Sequence, residues 1–361
     1  MMIIIITGFF SGCRNLEPEV VKNPYEDIDW DNINQYMANL HSHTIKSDGR
    51  GEPEQVIQMY ADAGYEILAI TDHDNYYTNR DGERDVEPTH ETTWPWTRWI
   101  DSEPSMVWEN NGKETSAFYP DLGNQGMLAI RANELTTHPH QVSLFNNCGF
   151  PDREHTEENR ITCIEKEDGL AYWAHPTDYI PGGRWEDQLF DTDLDEAVSY
   201  FAHYLLGHDV MLGIEMQLEN RLERDILLLD TLLARYYKNH DIFIMGADDS
   251  HGTSVGLSAT MTIVFAEELT EDAVRNALQN GHKIVGSRVE TLPVFHSIEV
   301  NERDNEITLD LSHYDTVTWF KNGREFQKGN TVDYSNVRDA VLRFEVESGG
   351  QTFYSQGFYI Q

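Results

Sequence analysis

The residues best suited to chemistry are histidines and carboxylates that follow short apolar segments. His41-Ser42-His43 follows one such segment, and Asp249-Ser250-His251 follows another. Side chains alternate between the two faces of an extended segment, so both imidazoles of a His-x-His pair point to one side. The segment ends together supply six histidines and three carboxylates: His41, His43, Asp48, His73, Glu134, His140, His175, Asp249 and His251. This mixture of nitrogen and oxygen donors suits Zn²⁺, Mn²⁺ or Fe²⁺ better than Mg²⁺ or Ca²⁺.

The elements that would position these residues alternate along the chain. Short apolar runs predict strands at 36–40, 66–70, 127–132, 141–145, 170–174, 210–215, 241–245 and 283–285. Helical spacing predicts helices at 53–63, along the segment containing Leu222 and Leu233, and at 270–280. Polar residues gathered at the carboxyl ends of such strands are typical of an α/β fold with a parallel β/α barrel, whose active site lies at that end.

The hydrophobic pattern changes after Pro293. Apolar and polar residues alternate over 307–311, and Asn322-Gly323 is a strong hairpin signal. We therefore predict a small C-terminal β-sandwich module at residues 292–361. This module contains none of the candidate ligands, so the metal site is expected to form without it.

The first residues predict export. Residues 2–10 form an apolar run that is too short to span a bilayer as a helix but suits a signal peptide. Ser11-Gly12-Cys13 follows and resembles a lipobox, the motif in which a bacterial lipoprotein is lipidated on cysteine. We expect a signal at 1–13, a polar tether at 14–34, and a lipoprotein of the cell envelope, on the periplasmic or surface side of the outer membrane. The lipid on Cys13 would be its one link to a membrane; a misassigned start or a buried first strand is the alternative.

A long insertion interrupts the alternation of strands and helices. Residues 76–125 are rich in Trp, Asp, Glu and Gly. Loops that follow barrel strands surround the active site of such folds. The insertion is therefore expected to be a lid over the site, with an extra surface layer as the alternative.

Charge and cysteine content exclude several classes of protein. The 361 residues include 26 Lys and Arg against 63 Asp and Glu, which gives a formal net charge of −37. Binding to nucleic acid or to anionic lipid depends on clustered cations, so neither partner is expected. Three cysteines, Cys13, Cys148 and Cys163, are too few for a disulfide scaffold or a Cys-rich zinc module. Whether Cys148 pairs with Cys163 stays open.

Five motifs, in their order along the chain, resemble those of the PHP superfamily (polymerase and histidinol phosphatase). They are NLHSHTIKSDG, AITDHD, ANELTT, WAHP and GADDSH. The resemblance implies a distorted seven-stranded, TIM-like β/α barrel over residues 35–291 that holds two to three divalent metal ions. The implied ligands are His41, His43, Glu134 and Asp249 for the first ion, Glu134, His140 and His175 for the second, and Asp48, His73 and His251 for the third.

Within this set, the resemblance assigns Glu134 to bridge the first two ions, and we expect Glu134, Asp249 and His251 to be catalytic. The run after Glu134 also resembles a branch of the superfamily that includes a carbaryl hydrolase. His138 is an alternative to His140 as a ligand, although the strand resumes directly after His140.

Other charged residues near the motifs are candidates for supporting roles. Asp72, Asp74 and Asp248 flank predicted ligands, where a carboxylate could accept the second N–H of an imidazole and fix its tautomer. The candidate cations for binding a phosphate group are Arg50, Arg131 and Arg184.

Three functions are compatible with these residues. Clustered divalent ions activate water and polarise the substrate, which suits an exported phosphoesterase that uses a metal-bridging hydroxide to hydrolyse a small phosphate ester. The second possibility is hydrolysis of a carboxylic ester, carbamate or amide at the same metal centre. The third is a binding lipoprotein without enzymatic activity, against which a complete ligand set argues.

Overall fold

The computed structural model describes residues 18–45, 47–74, 106–110, 113–117, 127–136, 139–146, 148–149, 156–184, 193–256 and 258–361. The predicted signal and lipobox at 1–13, with Cys13, lie outside these residues. So do His138 and most of the 76–125 insertion, within which only the strands of one hairpin are described.

The described residues contain five α-helices and 21 strands. The helices are α1 (Pro53–Asp62), α2 (Glu157–Lys166), α3 (Leu194–Gly207), α4 (Leu218–Tyr236) and α5 (Glu271–Asn280). The first thirteen strands are β1 (Val20–Lys22), β2 (Asn34–Asn39), β3 (Ile67–Ala69), β4 (Met106–Asn110), β5 (Lys113–Ala117), β6 (Leu128–Ile130), β7 (Ala132–Leu135), β8 (Gln141–Leu144), β9 (Leu170–Trp173), β10 (Met211–Met216), β11 (Phe243–Gly246), β12 (Thr260–Ala266) and β13 (Lys283–Ser287). The C-terminal strands are β14 (Val294–Asn301), β15 (Glu306–Ser312), β16 (Thr316–Lys321), β17 (Arg324–Lys328), β18 (Thr331–Asp333), β19 (Ala340–Ser348), β20 (Gln351–Tyr354) and β21 (Phe358–Ile360).

The strands that lead to the candidate ligands belong to two sheets of mixed direction. In the first sheet, β2, β3 and β6 run parallel, whereas β12 pairs antiparallel with both β2 and β13. In the second, β9, β10 and β11 run parallel, whereas β8 pairs antiparallel with β7 and β9. The predicted α/β class is confirmed, but the predicted all-parallel strand order is wrong for these sheets. The seven-stranded barrel stays a prediction.

The two sheets are joined through one nearly continuous strand. Arg131 alone separates β6, in the first sheet, from β7, in the second. Buried apolar side chains from both sheets, among them Ala38, Val142 and Met245, form one core cluster. Burying this shared apolar surface holds the strand ends of both sheets near each other.

The C-terminal strands form two layers around an aromatic core. One layer is the sheet β14-β15-β18, and the other contains β16, β17 and β19–β21. Trp319 and Phe344 are completely buried between them, with ring centroids 5.2 Å apart. The predicted hairpin is present: Asn322 and Gly323 join β16 to β17, and both have the positive φ (45° and 75°) that such tight turns require.

This C-terminal region packs tightly against the region that carries the ligands. β20 pairs with β13, which places both regions in one sheet. Arg343 of β19 binds both carboxylate oxygens of Asp230 in α4, at 2.7 and 2.9 Å. Val341 and Tyr359 also belong to the same apolar cluster as Leu233 of α4. These contacts join the two regions closely, while the expectation that the metal site forms without the C-terminal module stays a prediction.

The segment predicted as a tether also folds onto the protein. β1 pairs antiparallel with β21. Tyr25 is buried, its hydroxyl donates to the carbonyl of Lys283 (3.2 Å), and it accepts from the amide of Gln356 (2.9 Å). Residues 18–34 thus add a strand and a buried aromatic side chain to the sheet, which the polarity of residues 14–19 did not indicate.

None of the helices within the described residues has the length and apolarity needed to cross a membrane.

Truncating the chain after Leu292 tests whether the ligand-bearing region folds without the C-terminal region. Removing β14–β21 would expose the apolar faces of α4 and β13, so we expect the shortened chain to lose cooperative unfolding and to aggregate. Circular dichroism during thermal unfolding, with the full chain as control, measures this. A shortened chain that unfolds cooperatively at the same temperature would show that the ligand-bearing region is independent.

Lys283 is a buried cation at the start of β13. Its Nζ donates to the carbonyl of Leu278 (2.7 Å) and lies 4.7 Å from the ring centroid of Phe243. Burial lowers the pKa of Lys283 well below its usual value. Each pKa unit lost by the folded state corresponds to about 1.4 kcal/mol, so the charged form destabilises the fold at neutral pH.

We therefore expect Lys283→Met to raise the free energy of unfolding at pH 7 by about 1–3 kcal/mol. The folded chain binds fewer protons than the unfolded chain between the lowered pKa and about 10.4, so wild-type stability rises with pH across that window. The variant should lack this rise. Urea denaturation at pH 7 and pH 9 measures both effects, with Lys238→Met, an exposed lysine, as control. Equal stability of wild type and Lys283→Met at pH 7 would contradict the expectation.

Candidate metal centre

Backbone hydrogen bonds hold the ligand-bearing segments against one another. The amide of His43 donates to the carbonyl of Ser250 (2.9 Å), and Ser42 and Ser250 form an isolated parallel bridge. His73 and Glu134 form a second isolated bridge, which links the end of β3 to β7. All nine predicted ligands therefore converge at one end of the two sheets, where they form one connected cluster.

Two carboxylate oxygens in this cluster face the same pair of imidazole nitrogens. The Nε2 atoms of His41 and His43 lie 3.1 Å apart. Asp249 Oδ1 lies 3.3 and 3.1 Å from these two nitrogens, and Glu134 Oε2 lies 3.4 and 3.3 Å from them. Four ligands arranged tetrahedrally at zinc-like distances are about 3.3 Å apart. The five distances match this spacing, and ligand atoms of His41, His43 and Glu134 all lie within 4.8 Å of one another, so these residues could hold a divalent ion.

Hydrogen bonds on the far side of each ring orient the two imidazoles. His41 Nδ1 donates to Glu215 (2.9 Å). His43 Nδ1 donates to the hydroxyl of Ser47 (3.1 Å), since that hydroxyl gives its own proton to Asp72 (2.6 Å). Each Nε2 is thereby left as the lone-pair donor toward the cluster.

The two carboxylate oxygens that face these nitrogens are buried and make no hydrogen bond of good geometry. They are Glu134 Oε2 and Asp249 Oδ1. Buried carboxylate oxygens without donors are costly, and the usual explanation is an ion or water that satisfies them. Four converging lone-pair atoms require a positive charge, so the residues present fit a bound divalent cation.

The second predicted group lies on the other oxygen of the same carboxylate. Glu134 Oε1 is 2.8 Å from His140 Nδ1 and 2.8 Å from His175 Nε2. Glu134 is 1 % exposed, and its two oxygens face different groups of imidazoles. This placement is the one that a bridging ligand requires, while the bridging role itself stays a prediction.

The third predicted group is more open to solvent. Asp48 Oδ1 lies 3.0 Å from His251 Nε2 and 3.5 Å from His73 Nε2. The side chains of Asp48 and His251 are 38 % and 37 % exposed, whereas His41 and His43 are fully buried. Asp48, His73 and His251, with His43, could also hold a cation.

Electrostatics shows that this cluster is built for positive charge. Burial lowers the pKa of His41, but Glu215, Asp249 and Glu134 outweigh burial and raise the pKa well above its usual value. Burial raises the pKa of Glu134, yet His73 and the other imidazoles dominate and hold the pKa well below its usual range. The raised pKa of His41 and the lowered pKa of Glu134 show that a positive charge among these groups is stabilised, as a bound metal ion would be.

Two predicted ligands lie on strained backbone. His175 has a φ of 29° and Asp249 a φ of 48°, in the left-handed region that side-chain-bearing residues rarely adopt. Such strain persists only where the surrounding structure imposes it, and it concentrates at functional sites. Both residues begin the turns that leave β9 and β11.

Sequence reasoning missed Glu215. This residue lies in β10, is completely buried, and uses both oxygens: Oε1 accepts from His41 Nδ1 (2.9 Å) and Oε2 from the amide of His175 (2.7 Å). It therefore connects a ligand of the first group with the strained turn of the second. The signal available in the sequence was a single carboxylate within the buried run 211–216.

Asp72, Asp74 and Asp248 were candidates to accept the second N–H of a ligand imidazole. The structure shows them hydrogen-bonded to other groups. Asp72 reaches His43 through the hydroxyl of Ser47. Asp74 accepts from the amide and hydroxyl of Thr136, and Asp248 accepts from the hydroxyl of Tyr60 (2.7 Å). These bonds anchor the ligand-bearing segments to their neighbours.

The three candidate phosphate cations occupy different positions. The amide of Arg50 donates to the carbonyl of His251 (3.0 Å), which places Arg50 beside the third group with an exposed side chain. Arg131 pairs with Glu271 (3.3 Å) at the N-terminus of α5. Arg184 lies nine residues beyond His175, and its role stays a prediction.

Glu215→Gln tests the support of His41. A glutamine amide in place of Oε1 would donate to His41 Nδ1 and force the proton onto Nε2, which faces the cluster. We expect metal affinity to fall about 10- to 100-fold, as for other supporting carboxylates. Competition with a chromogenic chelator measures the affinity, and Glu345→Gln in the C-terminal region is the matched control. Wild-type affinity in Glu215→Gln would show that this contact does not support metal binding.

The chain is similar to known proteins in its fold. No family model matches the chain, and no curated protein matches it in sequence. Its structure is similar to a two-domain protein from Bacteroides vulgatus that contains a predicted PHP-like metal-dependent phosphoesterase, with 17 % identity, a TM-score of 0.51, and 94 % of this chain and 98 % of that one covered.

Two further solved structures match with lower TM-scores. One is a candidate metal-dependent phosphoesterase from Bifidobacterium adolescentis, with 16 % identity, a TM-score of 0.37, and 68 % and 96 % of the two chains covered. The other is an amidohydrolase from Chromobacterium violaceum with bound sulfate and no metal, with 13 % identity, a TM-score of 0.35, and 60 % and 87 % covered. The chain therefore shares its overall fold with the two-domain PHP-like protein from Bacteroides vulgatus.

Proposed function

We propose that this protein is a metal-dependent phosphoesterase of the PHP type that hydrolyses a small phosphate ester. The observation that carries the proposal is that Glu134 Oε2 and Asp249 Oδ1 each lie 3.1–3.4 Å from the Nε2 atoms of His41 and His43, which are themselves 3.1 Å apart. Two of these four atoms are buried carboxylate oxygens that lack hydrogen bonds of good geometry. A second group on Glu134 and a third on Asp48 would extend the site to two or three ions, with Zn²⁺, Mn²⁺ or Fe²⁺ suited to the donors.

Divalent ions bound there would activate a water molecule and polarise the phosphoryl oxygen, and the chain supplies the geometry. The two oxygens of Glu134 face different groups, so the first and second groups lie on either side of one carboxylate. The first group is buried, whereas Asp48 and His251 reach solvent, so the ester approaches from the side of the third group. Asp249 and His251 lie on either side of Ser250, so the same turn spans the buried and the open ends of the cluster.

A cation beside the open end supports a phosphate substrate. Arg50 is held next to His251 by its backbone amide, and its side chain is exposed. A guanidinium binds two phosphate oxygens in parallel, which favours a phosphoryl group over a neutral ester. Arg131 is ion-paired with Glu271, which makes it a weaker candidate for this role.

We also infer that the protein is an exported lipoprotein whose barrel contains a PHP-type site. The disulfide between Cys148 and Cys163 supports export, since such bonds persist mainly in oxidising compartments. Similarity of the sequence after Glu134 to the carbaryl-hydrolase branch keeps a carboxylic ester, carbamate or amide within the range of substrates to test.

Substrate screening tests the proposed activity. Protein stripped of metal and reloaded with Mn²⁺ or Zn²⁺ is assayed with chromogenic phosphomonoester, phosphodiester and carboxylic-ester substrates. We expect hydrolysis of a phosphate ester that chelation abolishes, and a Glu134→Gln variant with less than about one-hundredth of the wild-type rate. Arg50→Ala should raise KM for the phosphate ester, whereas Arg131→Ala should not.

The other outcomes separate the alternatives. Hydrolysis of the carboxylic ester alone would replace the phosphoesterase by the second candidate. A metal-loaded protein that hydrolyses none of these substrates would favour a binding protein. Activity that survives complete chelation would refute a metal-dependent mechanism of any kind.

A further inference from the structure

A disulfide lies directly behind the second metal group. Cys148, which follows β8, is bonded to Cys163 of α2. Cys148 is buried, its amide donates to Asn146 Oδ1 (3.0 Å), and its carbonyl accepts from Asn133 Nδ2 (2.9 Å). Asn133 immediately precedes Glu134, so one half of the disulfide is attached to the strand that carries the central carboxylate.

The other half of the disulfide is attached to the segment that carries His140. Arg160 lies one helical turn before Cys163, on the same side of α2. Its guanidinium is buried, and Nη1 donates to the carbonyls of Leu135 (3.1 Å) and Pro139 (3.0 Å). These two carbonyls bracket the segment between Glu134 and His140.

The contacts form a closed circuit. From Glu134 it runs through Asn133 to Cys148, across the disulfide to Cys163, along α2 to Arg160, and back to the residue before His140. Both contacts of the circuit with the site involve ligands of the second group. The other three ligands of the first group, His41, His43 and Asp249, are positioned instead by Glu215, Ser47 and the bridge between Ser42 and Ser250.

We infer that the Cys148–Cys163 disulfide, acting through Arg160, positions His140 against Glu134, and that the oxidation state of these cysteines controls occupancy of the second metal group. The inference rests on the metal site of the proposed function. Arg160 is a positioning residue, since it acts on the backbone that carries His140. With the disulfide broken, α2 would keep its buried Ile161 and Ile164 but lose its covalent link to the loop after β8.

The chemical step is reduction by a phosphine or by a dithiol of the environment. A phosphine attacks one sulfur, the S–S bond breaks, and both sulfurs leave as thiols after taking up protons from water. The water oxygen remains on phosphorus as the phosphine oxide, so two electrons pass from phosphorus to the disulfide. A dithiol transfers the same two electrons and becomes a disulfide itself.

The experiment measures metal binding to the full chain before and after reduction with tris(2-carboxyethyl)phosphine, in a Cys13→Ser background. Zn²⁺ content is determined by elemental analysis after dialysis, and affinity by competition with a chromogenic chelator. We expect reduction to weaken one class of bound Zn²⁺ by about 10- to 100-fold while the remaining Zn²⁺ stays bound. Cys148→Ala/Cys163→Ala should show the same loss without reductant and no further change with it, which controls for chelation by the phosphine.

Arg160→Lys provides a second variant that keeps the disulfide. Lysine retains the charge, but its side chain is one bond shorter than the path to Arg160 Nη1, which contacts both carbonyls, so the same class of Zn²⁺ should weaken. Arg235→Lys, in an exposed ion pair on α4, is the matched control and should bind as wild type does. Circular dichroism establishes that each variant is folded; if the alanine pair is not, reduced wild type and Arg160→Lys still decide the question.

Equal Zn²⁺ affinity of oxidised and reduced wild type, both folded, would overturn the inference. So would loss of all bound Zn²⁺ together, because three of the four ligands of the first group, His41, His43 and Asp249, lie outside the circuit. Neither readout uses a substrate, so a protein that binds Zn²⁺ in a redox-dependent way but hydrolyses no phosphate ester would refute the proposed function alone.

Discussion

The structure depends on one buried carboxylate surrounded by imidazoles. Glu134 is 1 % exposed, and the imidazoles of His73, His140 and His175 each lie 2.8 Å from one of its oxygens. An isolated carboxylate in such a place would cost several kcal/mol, so the chain must bring compensating positive charge to it. That requirement explains why the polar ends of both sheets meet at one point, and why β6 and β7 pass from one sheet to the other immediately before this residue.

The sequence offered candidate ligands because their positions follow from local rules, and their role as ligands stays a prediction. A residue type that binds metals, placed where an apolar strand ends, was sufficient to identify His41, His73 and His175. The strands and helices that precede them were predicted for the same reason, since periodicity and capping are local properties. The grouping of the nine residues into three metal sites came from the resemblance of the motifs to the PHP superfamily.

Features that depend on pairing between distant segments were not predictable. Glu215 is a glutamate in an apolar run, and only the fold shows that it faces His41. The antiparallel direction of β8 is not encoded in its apolar character, which led to the expectation of parallel strands, and β12 was not predicted as a strand. Arg131 resembled a phosphate-binding cation until the structure showed its ion pair with Glu271.

The pairing of β1 with β21 has a consequence for the order in which the protein folds. Glu19 and Gln361 exchange two backbone hydrogen bonds, of 3.3 and 2.9 Å, across almost the whole length of the chain. Contacts so distant in sequence are slow to form, because closing the intervening loop costs entropy before any bond is gained. During synthesis β1 leaves the ribosome before β21 and must wait, unpaired, until β21 has been made. The edge of the sheet that β1 completes is therefore among the late contacts of the fold.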